Sequence, residues 1–422
     1  MGGLPTRRGS GPSGGRAIRS TADLGTRWST LPWWAQVLVV AGLARVLSGV
    51  GIALVASTQD ANVWLPAAPG YLKDAGLMWD GSWYREIAEH GYPHTLPTGP
   101  DGRVLQNAWA FFPLFPMAVR GLMVATGGPW HVVAPVLALL LGLAAMLVVH
   151  AAVADALHRT DLPEPVRRHG PLASVALLAT SASAPVLQVA YTEALALLLV
   201  AGTLWAVQRH SYALAGATTV ALGFTRAVAL PVLLVVVVHG LARLRSRRTF
   251  PVRDRVAVLA LAALAAGSGF AWPVVAARVT GVADAYRLTQ GAWRGRGEVL
   301  VLVPWLDVSV WLVGTWAPLL LGAVAALLVM GLAAPPVRAL GPVLHAWLVG
   351  YAGYLVVVLE PGTSLVRFAL LGFPAWAALA LAALTSRRPR LFLVLAIMGG
   401  LVGQAAWLGL LWRMVPPAGW PP

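Results

Sequence analysis

Apolar positions in this chain do not alternate with polar ones; they run on for twenty residues and more. The stretch VVAPVLALLLGLAAMLVVHAAVADAL, residues 132–157, exceeds the roughly 20 apolar residues that cross a bilayer. A chain that crosses lipid must satisfy its own backbone, which favours helices. A β-barrel would show short alternating segments instead. The pattern predicts an all-α polytopic membrane protein with eleven spans: about 32–56, 131–157, 170–187, 192–208, 211–225, 227–242, 256–279, 305–331, 339–359, 366–384 and 391–412.

Charge between the runs orients them. With the N-terminus in the cytoplasm, the inside segments hold 19 of the 31 Lys and Arg, and 11 of the 16 Asp and Glu fall outside or at outer ends. An inside excess of Lys and Arg is the expected topology signal. Acidic residues count little for that rule, so their bias points to a working outer face. The first apolar run is too long for a signal-peptide core and reads as a retained anchor.

Residues 57–130 form a long first outer loop, and loops of that length are usually functional or disordered. It contains a helical stretch near 77–91 and a second, FFPLFPMAVRGLMVAT, at 111–126. The second is short, carries Arg120, and is expected to lie along the interface. Within GLMWDGSWYREIAEHGYP, residues 76–93, stand one Asp, two Glu, an Arg, a His, two Trp and two Tyr. On a helix Trp79, Trp83 and Ile87 share one face, and Arg85 pairs with Glu89 at i+4. An interfacial helix with an aromatic belt explains all of this except Asp80. A carboxylate among tryptophans loses hydration, which favours proton uptake and suits a general base.

Composition narrows the class. The chain is 58% hydrophobic and 11% charged, against about 25% charged in soluble domains. The net charge of +15 does not imply nucleic acid, because the Arg residues sit in short loops rather than on one clustered face. The basic loop RLRSRRTFPVRDR, 243–255, fixes topology or meets anionic membrane lipid. With no Cys there is no thiolate metal site. Residues 1–31, rich in Gly, Ser and Arg, are expected to be a disordered cytoplasmic tail, and 32–422 one membrane domain.

WDGSWYREIAEHGYP, AFFPLFPMAVR, QVAYTEALALLL and GFTRAVALPVLL, in this order across about 76–240, resemble the PIG-V family of mannosyltransferases. These include the enzyme that adds the second mannose of GPI anchors, and have actinobacterial relatives. A weaker match, SLVRFALLGFPAWAALA at 364–380, has Val366-Arg367-Phe368 in place of a more usual Pro-Arg-Tyr. The resemblance implies a GT-C-type fold. It implies a mannose taken from a polyprenyl-phosphate carrier on the outer face of the cell membrane, with inversion, and given to a lipid-linked or cell-envelope glycan acceptor. Asp80 matches the essential acid of the first outer loop. Trp79, Trp83, Tyr84, Tyr191, Glu193, Arg226 and Arg367 are the expected donor phosphate and sugar residues. No cofactor is implied, and no metal is assigned, since Arg would supply the positive charge.

The residues themselves leave alternatives. Glu193 and Arg226 lie where short spans end, at the depth of a carrier phosphate, and intramembrane ionisable residues point to function; an ion pair tying helices is the other reading. Arg367 suits phosphate or an interfacial anchor. Arg45 needs burial against protein. His90 and His94 lack a convincing carboxylate partner for a metal, and Glu86 faces water or assists Asp80. Asn107, Trp109, Tyr286, Gln290 and Trp293 are candidates for sugar or acceptor contact. The rival class is a secondary transporter or lipid flippase, but the internal repeats and midplane helix breaks expected there are not seen.

Overall fold

A computed structural model describes residues 28, 30–246, 249–295, 300–416 and 422. Most of the expected tail therefore lies outside the described residues. The chain is helical, with an isolated β-bridge between Thr98 and Val104.

The first span is α1, Trp33–Thr58. The long first loop then folds as α2 (Tyr71–Leu77), α3 (Asp80–His90) and α4 (Leu114–Thr126). Next come α5 (Trp130–His158), α6 (Glu164–Ala179), α7 (Glu193–Gln208), α8 (Tyr212–Gly223) and α9 (Leu230–Arg245). The second half holds α10 (Val252–Thr280), α11 (Ala285–Trp293), α12 (Val303–Val313), α13 (Ala317–Ala333), α14 (Pro335–Ala339) and α15 (Gly341–Val358). The chain ends with α16 (Leu365–Phe368), α17 (Pro374–Leu384) and α18 (Pro389–Trp407). Helix α5 is the central post, packed on α6, α7 and α1, while α9 packs on α15 and α10.

A helix stands at each of the eleven expected positions, but not all are full spans. Six are long and apolar enough to cross a membrane among the described residues, or seven if Leu365–Gly372 and Pro374–Leu384, bent by 70°, count as one. Helices α6, α7 and α9 have 16 residues and α8 has 12, or about 18–24 Å at 1.5 Å per residue. The expected spans over 170–242 are likewise short, about 15–18 residues each, and the helices end where these apolar windows run through irregular backbone. After Ala179 the hydroxyls of Thr180 and Ser181 bond back to the carbonyls of Ala176 and Leu178, each at 2.8 Å, and helix competes poorly with such bonding. The chain resumes only as a tight turn over Ala184–Gln188.

Broken backbone inside a membrane protein must be satisfied by neighbours. Arg45 of α1 does this: its guanidinium donates to the carbonyl of Ala179 at 2.6 Å and to that of Ala184. Burial against protein is what the sequence required of Arg45, and its role is structural.

The long first loop, residues 59–129, is pinned by indole N–H groups. Each Trp brings an apolar body and one donor, and the donors fall on loop carbonyls. Trp130 bonds Gly76, Trp109 bonds Pro93, Trp272 bonds Trp109 and Trp293 bonds Asn107, at 2.8–3.2 Å. Tyr92, Trp109 and Trp272 stack into a small separate core. The site is thus built on a rigid loop.

Candidate active site

The expected helix near 77–91 is two helices, and the break between them creates the site. Trp79 adopts φ 53°, ψ −123°, a left-handed conformation that costs a bulky residue about 1–3 kcal/mol. Its indole is held by a 2.8 Å bond to the Trp412 carbonyl and packs against Trp64. The turn folds α3 back so closely that a Cβ on Gly81 would come within 2.8 Å of the Gly76 carbonyl. This is the physical content of Trp-Asp-Gly: a strained anchor, a carboxylate at the helix start, and a residue without a side chain.

Asp80 is consequently the first residue of α3. Glu193 is likewise the first residue of α7. Helix N-termini favour negative charge, so two carboxylates are presented from two helix starts. Between them lies Arg367. Its Nη1 is 2.6 Å from Asp80 Oδ2 and 3.4 Å from Glu193 Oε1. Arg226, from the loop joining α8 and α9, places Nη1 2.7 Å from the same Glu193 oxygen and donates to Thr192 Oγ1 at 3.1 Å. The four charges alternate in sign along one chain of contacts.

Aromatic and hydroxyl groups frame this row. The Phe368 ring lies 4.6 Å from the Arg226 guanidinium and 5.0 Å from that of Arg367, and Tyr191 also lies 5.0 Å from Arg367. Such rings stabilise cations. The Asp80 N–H donates to the Tyr191 hydroxyl at 3.2 Å. Tyr84 shares a hydrogen bond with Thr192 at 3.3 Å, and burial pushes its phenol well above the ordinary range, so it stays protonated. Exposure grades the row: the Asp80 side chain is 22% exposed and that of Glu193 1%. Asp80 is therefore the accessible carboxylate of the row, whereas Glu193 is the buried counter-ion of both arginines.

Six of the eight expected site residues come together: Asp80, Tyr84, Tyr191, Glu193, Arg226 and Arg367. The expectation of an Asp stranded among tryptophans is corrected, since its partner is a guanidinium. Trp79 and Trp83 are placed elsewhere. Trp79 points to the C-terminal turn, and Trp83 stacks on Phe111 at 5.8 Å and against Trp293 at 5.1 Å. Asn107 accepts from Trp109 N–H and bonds Thr289, Tyr286 packs on Phe112, and Glu86 pairs with His90 at 3.3 Å on an exposed face. Sequence reasoning missed the packing role of Phe368, whose only signal is its place next to Arg367. It also passed over Thr192 as a bonding partner and missed Trp412 altogether. No cluster of three or more His, Asp or Glu suited to a metal occurs among the described residues.

The fold is that of a polytopic, all-helical membrane protein of the GT-C type. The structure is similar to that of the Archaeoglobus fulgidus oligosaccharyltransferase in complex with Zn and sulfate, at TM-score 0.50 and 13% identity, covering 91% of this chain and 54% of that one. A structure of the same enzyme tethered with an acceptor peptide containing the NVT sequon aligns at TM-score 0.48 and 11% identity, covering 94% and 56%, and nothing below rests on it. The chain spans about half the length of these structures, and the likeness is one of fold. No protein-family model and no curated protein sequence matches the chain, so the PIG-V resemblance rests on its motifs.

Proposed function

We propose that the protein is an inverting glycosyltransferase that moves mannose from polyprenyl-phosphate-mannose to a lipid-linked or cell-envelope glycan acceptor. The reaction takes place on the outer face of the plasma membrane, with the N-terminus in the cytoplasm. The observation that carries the proposal is the row Asp80–Arg367–Glu193–Arg226, a part-exposed carboxylate beside two guanidiniums. Mannose as the sugar comes from the PIG-V resemblance.

In the transfer, the acceptor hydroxyl oxygen bonds to the anomeric carbon while the bond from that carbon to the phosphate oxygen breaks. Asp80 takes the hydroxyl proton as general base. The bonding pair leaves with the carrier phosphate, which passes from singly to doubly negative. Arg367 is shared between base and leaving group. When Asp80 becomes neutral it loosens its hold on Arg367 as the phosphate gains charge, so the guanidinium follows the developing negative charge. Arg226 supplies the second cation, and Glu193 keeps both arginines in place.

Membranes containing the protein, given labelled polyprenyl-phosphate-mannose and native lipid extract, are expected to place label in a glycolipid or envelope glycan. Label that remains on the carrier for every polyprenyl-phosphate sugar offered overturns the reading. Label that crosses a vesicle bilayer chemically unchanged would make the protein a flippase.

A further inference from the structure

The C-terminal turn reaches the underside of the site. Helix α18 ends in a wide turn, Leu408–Trp412, a geometry often found at functional positions. Trp412 is completely buried and makes three contacts there. Its carbonyl accepts from Trp79 Nε1 at 2.8 Å. Its own indole N–H donates to Asp74 Oδ1 at 2.6 Å. Its ring lies 5.7 Å from that of Tyr191.

Trp79 and Tyr191 are the two residues that set the start of α3. Trp79 holds the left-handed turn immediately before Asp80, and Tyr191 receives the Asp80 N–H. A third tie, to Asp74 of α2, fixes the helix on the other side of that turn. The strap is fastened independently further on: Gln59 exchanges two hydrogen bonds with Met414, at 2.6 and 3.0 Å, and Arg413 bonds the Thr58 carbonyl at 2.9 Å. Fastening and contact with the site thus fall on different residues.

We propose that Trp412 is a positioning residue for the transfer step, holding Asp80 in register with Arg367 through Trp79 and Tyr191. The inference rests on the transfer reaction proposed above. A residue that only fills space would lower the amount of folded protein. A positioning residue changes turnover in protein that is folded and still binds donor.

The test measures steady-state transfer in membranes for wild type, Trp412→Phe, Trp79→Phe and Arg413→Ala. Trp412→Phe keeps the main chain but loses the tie to Asp74 and part of the ring face set against Tyr191, while Trp79→Phe removes the bond to the Trp412 carbonyl from the other side. Should Trp412→Phe fail to fold, Trp79→Phe alone decides the question. Both are expected to lower kcat by about 10- to 100-fold with donor KM changed less than about threefold. Arg413→Ala should keep wild-type values. Wild-type kcat in both Trp variants overturns the positioning role and leaves the transfer reaction standing. An equal fall for Arg413→Ala also overturns it, by showing general loosening of the strap. Absence of transfer by wild type overturns the reaction and this inference with it.

Discussion

Arg367 and Asp80, 287 residues apart in sequence, meet at 2.6 Å. The same guanidinium nitrogen lies 3.4 Å from Glu193, so one side chain from α16 joins the start of α3 to the start of α7. If Arg367 also meets the leaving phosphate, Arg367→Ala should lower kcat/KM by about 10²–10³-fold. Arg367→Lys keeps the charge but loses the planar fork and should fall between. Steady-state transfer kinetics check this, and near-wild-type turnover in Arg367→Ala would contradict it.

Glu193 and Arg226 form a buried pair at 2.7 Å. Removing one partner of such a pair leaves an uncompensated charge and costs about 3–5 kcal/mol. Glu193→Gln should therefore lower the thermal unfolding midpoint in detergent. Combining it with Arg226→Met should restore much of the midpoint but none of the activity. A midpoint in the single variant equal to that of wild type would contradict the structural role of Glu193.

The eleven helical positions were legible because apolar run length and Arg placement are strong local signals. The shortness of the spans at α6 to α9 was legible as well, but the break after Ala179 was not, because Thr180, Ser181 and Ser183 look like tolerated small residues inside an apolar window. Their backbone bonding is invisible in the pattern. Asp80, Glu193, Arg226 and Arg367 stood out as rare charges in apolar surroundings. Their partners did not, since Asp80 and Arg367 are distant in sequence. The tryptophans are ambiguous for a physical reason: an indole suited to stacking on sugar is equally suited to donating to a carbonyl or packing on a ring, and the contacts of Trp79 and Trp83 here are of the second kind.

That scaffolding has a measurable signature. Trp83 packs on Phe111 and Trp293, so Trp83→Ala should cost stability, about 3–5 kcal/mol for a large aromatic. In whatever fraction folds, donor KM should be close to that of wild type. Trp83→Phe should be milder in both respects. A KM raised tenfold with an unchanged unfolding midpoint would instead return Trp83 to the sugar site.

Asp74 makes the pH dependence specific. It is fully buried, and burial pushes its carboxyl up to about 6, with the Trp412 bond acting the other way. The folded protein thus holds this proton more tightly than the unfolded chain does. The contribution to stability is full below about pH 4 and is lost as pH rises through about 6. Asp74→Asn should flatten the fall in unfolding midpoint between about pH 4 and 6. Identical slopes for wild type and variant would contradict this.

The central claim is that Asp80 is the base of a glycosyl transfer, and an amide of the same shape tests it most directly. Asp80→Asn, expressed to the wild-type level in membranes, is compared with wild type for transfer from labelled polyprenyl-phosphate-mannose and, separately, for binding of that donor. The account predicts transfer by wild type, a loss of at least about 10²-fold in the variant, and donor binding retained. Equal transfer by both proteins would contradict it and remove Asp80 from the chemistry.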